Sequence, residues 1–276
     1  MAIAPAFTAA CIQVCAGPEI GPNVVIASEL VRRARDAGAD FIALPENVAL
    51  IVQGRDKVLA RVRPESDHPA LAAFRDLAQE TGAWLLVGSL GIALDDGRVA
   101  NRSFLLDAAG GVVARYDKIH MFDVDLPGGE SYRESATFRP GARAVVADAP
   151  FGCIGMTICY DLRFAYLFRA LARAGAGILT VPAAFTVPTG RAHWHVLLRA
   201  RAIETGCFVI APAQCGTHDE GRQTFGHSLI ISPWGEILAE AGEDPGVITA
   251  RIDMAKVEEC RGMVPALRHD RAFEGP

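Results

Sequence analysis

The sequence predicts an α/β protein built from two sheets packed face to face, with helices outside. Apolar runs of strand length alternate with amphipathic stretches of helical period along the whole chain. Alternation alone does not distinguish one sheet from two. An internal echo favours two: AGADFIALP (Ala37–Pro45) and AGAGILTVP (Ala174–Pro182) each close a helix at glycine, enter a strand and stop at proline. A chain of 276 residues that is 51% hydrophobic can also bury a large core. No linker or low-complexity segment divides it, so residues 1–276 read as a single domain.

The elements follow in order. FTAACIQV reads as a strand, and Asn23 is placed to cap a helix over VVIASELVRRARDAG. DFIALPE is a short buried strand, HPALAAFRDLAQETG a helix closed by Gly82, and WLLVGSL a strand again. VANRSFLLDAAGGVVARYDKI reads as two strands joined at Ala-Gly-Gly, a hairpin signal. After a Gly/Pro-bearing loop come the strands ARAVVADAP and GCIGMTIC, then a helix near RFAYLFRALARAG. ILTVPA, a helix over RAHWHVLLRARAIETG, and the strands CFVIAPAQ, HSLIIS and GEILAEA complete the second half.

Composition excludes several classes. The formal charge is −5 and the basic residues are scattered, which argues against a nucleic-acid partner. The apolar N-terminus lacks the basic flank of a signal peptide. Ala174–Gly190, interrupted by Pro182 and Pro188, falls short of a membrane span. Seven cysteines without a CxxC pair fit a reducing compartment, so the expectation is a cytoplasmic protein. P-loop and HExxH signatures are absent; VGSLG carries Val87 where a nucleophile elbow needs glycine, and the GAG at Gly175–Gly177 precedes a strand instead of following one. His193 and His195 form an HxH inside a helical pattern and would point to different sides, which argues against metal ligation.

Three charged or nucleophilic residues interrupt apolar strand ends. Glu46 in ALPENVAL follows a buried strand and a proline; desolvation disfavours its charged form unless a partner offsets it. Lys118 ends the hairpin strand in ARYDKIH, where a lone lysine is ordinarily a solvated edge residue. Cys159 closes the apolar run GMTICYDLRF, where a lone cysteine is ordinarily core. Together they read differently. A thiol that opens a helix beside an ammonium is expected to have a lowered pKa, and a carboxylate can carry its proton to a leaving amine. Base, oxyanion donor and nucleophile make a complete set for acyl transfer.

The segments LPEN, DKIH and CYDLRF, in this order, resemble the three catalytic segments of the nitrilase, or carbon–nitrogen hydrolase, superfamily. The similarity runs roughly from Thr8 to His269. DVDLPG, ESATFRPG, AHWHVLLRARAIETGCFVIAPAQCG and GHSLIISPWGEI further resemble its Nit branch, most closely amidases acting on deaminated glutathione. The resemblance implies a four-layer α-β-β-α sandwich that pairs as a homodimer by stacking helices. It also implies hydrolysis of a small amide to acid plus ammonia through a thioester, with no metal or organic cofactor. Cys159 would then be the nucleophile, Glu46 the general base, and Lys118 the oxyanion donor together with the Tyr160 backbone N–H. Glu134 matches a second glutamate set against the lysine. Arg163 matches a carboxylate-binding position of carbamoylases, or braces the turn by an ion pair. Asp161 would hold that arginine or a cap. An ω-amidase acting on α-ketoglutaramate, an N-carbamoyl amino acid amidohydrolase and a catalytically idle binding or scaffold member are the alternatives.

The other residues read more plainly. Phe185 and Thr186 follow a strand end, where α/β ligand sites often lie, and are expected to line the pocket. Cys153, Cys207 and Cys215 read as core or strand-end residues, and His193, Trp194 and Glu204 as structural positions on a helix.

Overall fold

The computed structural model describes residues 6–126, 129 and 131–275. Pro127 and Gly128 of the DVDLPG segment lie outside the described residues. The first half runs β1 (Phe7–Gln13), α1 (Ile20–Asp36), β2 (Phe41–Ala43), α2 (Arg55–Arg61), α3 (Pro69–Thr81), β3 (Trp84–Ala93), β4 (Val99–Leu106) and β5 (Val112–Asp117). A short hairpin, β6 (Asp123–Asp125) with β7 (Ser131–Arg133), leads to β8 (Val145–Ala149), β9 (Gly152–Met156), α4 (Ala165–Arg173) and β10 (Ile178–Thr180). Next come α5 (Val187–Thr205), β11 (Phe208–Ala211) and a second small hairpin, β12 (Cys215–Thr217) with β13 (Gln223–Phe225). The chain continues through β14 (Leu229–Ile231), β15 (Ile237–Glu240), β16 (Gly246–Ile252) and α6 (Ala255–Met263).

Two six-stranded sheets result, ordered β16-β1-β2-β3-β4-β5 and β15-β14-β11-β10-β9-β8. The internal echo falls on equivalent strands. β2 runs parallel to β1 and β3, and β10 runs parallel to β9 and β11, so each repeat supplies the middle of a parallel triplet.

Alternation along the strands builds the layers. Ala9 and Cys11 of β1, Phe41 of β2 and Leu105 of β4 join Ile154, Met156, Leu179 and Val209 of the second sheet in one buried core. Their neighbours Ala10, Ile12, Ile42 and Leu106 face the other way, onto Ala27, Val31 and Ala34 of α1 and Phe74 and Leu77 of α3. On the far side, Phe168 and Leu171 of α4 and Trp194 and Leu198 of α5 are buried with the second sheet. The order is therefore helix, sheet, sheet, helix.

One expectation is corrected, and one strand lies outside the sequence pattern. Asn23 does not cap α1, which begins one turn earlier at Ile20. Its buried side chain instead donates to Gly17 O and Ala49 O, each at 2.9 Å, and accepts Gly17 N–H. β16 was not foreseen; it returns from the C-terminal region to pair antiparallel with β1 at the edge of the first sheet. The turn at Gly82 is as expected: it ends α3 with φ 64°, a left-handed conformation that glycine adopts without strain.

Candidate active site

The site forms where strand ends of both sheets meet. β2 stops at Ala43, and Pro45 turns the chain so that Glu46 enters the interior, 3% exposed. This turn requires a bare backbone opposite. A Cβ at Gly88 would stand 1.9 Å from Leu44 O, which explains the glycine in VGSLG. Ser89 Oγ accepts the Asn47 N–H at 2.9 Å, and Gln214 Nε2 donates to Glu46 O at 3.0 Å. The peptide bearing Glu46 is thus held from both halves of the molecule.

Lys118 follows β5, and its backbone N–H donates to Asn101 O on β4 at 3.0 Å. Its ammonium is 2% exposed and donates to Glu46 Oε1 at 3.0 Å and to Glu134 Oε1 and Oε2 at 3.0 and 2.9 Å. Glu134 opens a single 3-10 turn and also accepts the Phe122 N–H at 2.6 Å. Asn101 completes the cluster, its Nδ2 donating to Glu46 at 2.9 Å and to Glu134 at 3.3 Å.

Cys159 comes from the second sheet. The strand expected to reach it ends at Met156, and Cys159 opens a 3-10 turn (Cys159–Arg163) with φ 49°. A left-handed conformation is uncommon away from glycine and is typically held in place by its surroundings. Here Cys159 N–H donates to Pro182 O at 2.9 Å, and Arg201 of α5 donates twice to Leu162 O, at 2.9 and 2.7 Å. The wholly buried Asp161 is the third restraint. It accepts Ile158 N–H at 2.9 Å, capping the turn, and Tyr116 O–H at 2.7 Å. It also accepts His120 N–H at 3.1 Å. Of its two expected roles, Asp161 has the cap and not Arg163; it ties the nucleophile turn to the strand end that carries Lys118.

Charge in this cluster is settled by proximity. Burial would raise the Glu46 pKa, but the Lys118 ammonium and hydrogen bonds from Cys159, Lys118 and Asn101 outweigh it and hold the carboxyl below its ordinary value. Burial would likewise lower Lys118, yet the adjoining Glu134 and Glu46 keep it charged, its pKa well above the usual ammonium range. Cys159 goes the other way from the expectation. Burial and the nearby Glu46 charge push the thiol well above its ordinary value, against the partial help of Lys118 and the Ala184 backbone. The resting arrangement is thiol, carboxylate and ammonium. A preformed thiolate would set a third anionic group beside two carboxylates that share one cation.

Cys159 opens onto a cavity of about 340 Å³, ample for a small molecule. Glu46, Lys118, Glu134, Tyr160, Phe185 and Thr186 all line it. The Thr186 hydroxyl shares a hydrogen bond with Thr189 Oγ1 at 2.8 Å, which fixes its orientation in the wall. Arg163 does not line the cavity. Its guanidinium lies behind the wall, 5.6 Å from the Tyr160 ring centre and 5.7 Å from that of Phe185, with His193 Nδ1 at 3.4 Å. Arg222 lines the cavity instead. It makes no ion pair among the described residues, and its Nε is buried without a hydrogen-bond partner. Sequence reasoning missed both Arg222 and Asn101. Asn101 carried the usable signal, a polar side chain inside the apolar strand VANRSFLL; Arg222 sits in the loop segment HDEGRQTFG, where spacing says nothing.

The chain is similar to known proteins over most of its length. The deaminated glutathione amidase of Synechocystis sp. (strain PCC 6803) is 42% identical over 268 residues, covering 95% of this chain and 97% of its own. The crystal structure of Nit3 from Saccharomyces cerevisiae, a member of branch 10 of the nitrilase superfamily, superposes with a TM-score of 0.85 at 27% identity, covering 94% of each chain. A Glu-to-Gln mutant of the amidase from Nesterenkonia sp. AN1, TM-score 0.81 at 26% identity over 96% of this chain and 94% of its own, carries the acetamide moiety of fluoroacetamide covalently added at the active site cysteine. Matched over residues 8–262, the chain belongs to the carbon–nitrogen hydrolase family.

Proposed function

We propose that the protein is a cysteine-dependent amidase whose substrate is deaminated glutathione. The observation that carries the chemistry is the Glu46–Lys118–Glu134 cluster closing on Cys159 at the cavity floor. Because Cys159 rests as a thiol, its proton passes to Glu46 as Sγ attacks the amide carbonyl. The oxyanion accepts from Lys118, which exchanges one of its two bonds to Glu134, and from the Tyr160 backbone N–H. Collapse breaks the C–N bond while protonated Glu46 delivers its proton to the nitrogen, leaving a thioester. Glu46 then deprotonates a water that attacks the thioester carbonyl, the C–S bond breaks, and the proton returns to sulfur. Asn101 and Glu134 position the base and the ammonium.

The substrate assignment rests on the named relatives and on Arg222, an unpaired cation in the cavity wall suited to a substrate carboxylate. Deaminated glutathione has only substituted amides, so its leaving group is an amine, where the sequence reading expected ammonia. The closed core shared by the two sheets supports taking 1–276 as one domain. Val196 and Ile203 on α5, Tyr166 on α4 and Trp234 are exposed apolar residues that suit a homodimer interface. Among the described residues no helix is long and apolar enough to cross a membrane, and with the free cysteines this suits a cytoplasmic protein.

Mass spectrometry of products from deaminated glutathione, α-ketoglutaramate and N-carbamoyl amino acids tests the reading. The highest kcat/KM is expected on deaminated glutathione. Preference for α-ketoglutaramate or for a carbamoyl acid replaces the substrate while keeping the chemistry, and inactivity toward all amides overturns both.

A further inference from the structure

A second cluster lies behind the cavity wall. His195 on α5, His227 in the turn between β13 and β14, and Glu240 at the end of β15 bring one ligating atom each to within 4.8 Å of one another. His195 Nε2 and His227 Nδ1 stand 2.8 and 2.9 Å from the same atom, Glu240 Oε1. The two histidines of the HxH face different ways: His195 meets residues far along the chain, and His193 turns to Arg163. His227 has φ 54° beside Gly226 at φ 73°, an uncommon conformation for a residue with a side chain. The backbone holds it there: His227 N–H donates to Gly242 O at 3.0 Å, and Trp194 Nε1 donates to His227 O at 2.7 Å. This conformation aims the imidazole at Glu240.

We propose that His195, His227 and Glu240 bind a divalent transition-metal cation of the zinc class. Two imidazoles and one carboxylate are the donor set such cations favour over magnesium or calcium. Zinc–ligand bonds of about 2.0–2.2 Å separate neighbouring tetrahedral ligand atoms by roughly 3.4 Å, so each His–Glu240 separation need open by only about half an ångström. On binding, the cation would replace the imidazole protons shared with Glu240, each ring keeping its proton on the far nitrogen; all three side chains are solvent-accessible, leaving a position for water. The bound cation would fasten α5, the Gly226–His227 turn and β15 together. That turn supports the cavity, because Phe225 stacks on His227 with ring centres 4.4 Å apart and donates its N–H to Phe185 O at 3.0 Å. The role is structural, separate from the amide chemistry.

The test uses the full chain, stripped with a chelator and titrated with ZnCl2 by calorimetry and thermal unfolding, with CoCl2 absorption as a ligand probe. One saturable site per chain is expected, with a Tm that rises to a plateau and no thiolate charge-transfer band on cobalt. Glu240→Gln and His227→Ala should each weaken binding at least tenfold, and His195→Gln serves as the variant least disturbing to the helix. The stripped wild type supplies the folded baseline. Absence of saturable binding, binding unchanged in all three variants, or a thiolate band showing the cation on cysteine would each overturn the proposal.

Discussion

The ammonium of Lys118 stands 3.0 Å from the carboxylate of Glu46, both withdrawn from water. Glu46 depends on this ammonium for its charge, whereas Lys118 is also paired with Glu134. Replacing Lys118 by methionine leaves Glu46 and Glu134 facing each other unpaired, which should cost about 3–5 kcal/mol of stability. Loss of an oxyanion donor should also lower kcat by about 100- to 1000-fold. Urea unfolding and steady-state kinetics on one preparation read both effects.

Glu46→Gln keeps the shape of the side chain and removes the base. The expected fall in kcat is about 100- to 10,000-fold, the usual contribution of a general base. Deacylation needs the same carboxylate, so the acyl group should persist on Cys159 and appear as a mass increment on the intact protein. A variant that turns over at the wild-type rate would remove Glu46 from the chemistry.

The raised thiol of Cys159 has a kinetic signature. Its alkylation by a small neutral reagent should keep accelerating as the pH passes 9, without a plateau near neutrality. Cys159→Ala should be inactive and should lose the labelling that substrate protects against.

The cluster also shapes stability against pH. Glu46 lies below its ordinary 4.5, so its contribution is present above that pH and lost as the pH falls through the lowered value. Cys159 lies above its ordinary 9.0 and Lys118 above 10.5, so theirs are complete below those values and lost as the pH rises through the raised ones. The cluster's full contribution therefore spans about pH 4.5 to 9.0. A Tm profile of the wild type should show both shoulders, and Glu46→Gln should lose the acid one.

Arg222→Met should raise KM about 10- to 100-fold for amides bearing a carboxylate, since a hydrogen bond to a charged group is worth about 1.5–3 kcal/mol. Neutral amides should be little affected. Equal losses on both kinds of substrate would point to a disturbed wall.

Much of this was legible in the chain because local rules agree with the fold. Strand ends at Glu46, Lys118 and Cys159 are marked by polar residues where an apolar run stops, and the echo around Phe41 and Ile178 marks equivalent strands. What stayed hidden depends on distant partners. Asn23 has a helix-capping side chain, but Gly17 and Ala49 claim it, so the boundary slipped by a turn. The pairing of β16 with β1 joins the two ends of the described chain, which periodicity cannot register. The thiol pKa was misjudged because spacing indicates that Lys118 is near and not that Glu134 and Glu46 already engage it. Arg163 sits four residues from the nucleophile, yet a tight 3-10 turn carries it behind the Tyr160 ring.

Glu46, Asn101 and Lys118 belong to one sheet and Cys159 to the other. Neither half of the polypeptide carries a working set of reactive groups by itself. A nascent or partly unfolded chain therefore cannot attack the amides around it, and reactivity switches on only when the two halves dock. Catalytic rate in this protein doubles as a gauge of that docking.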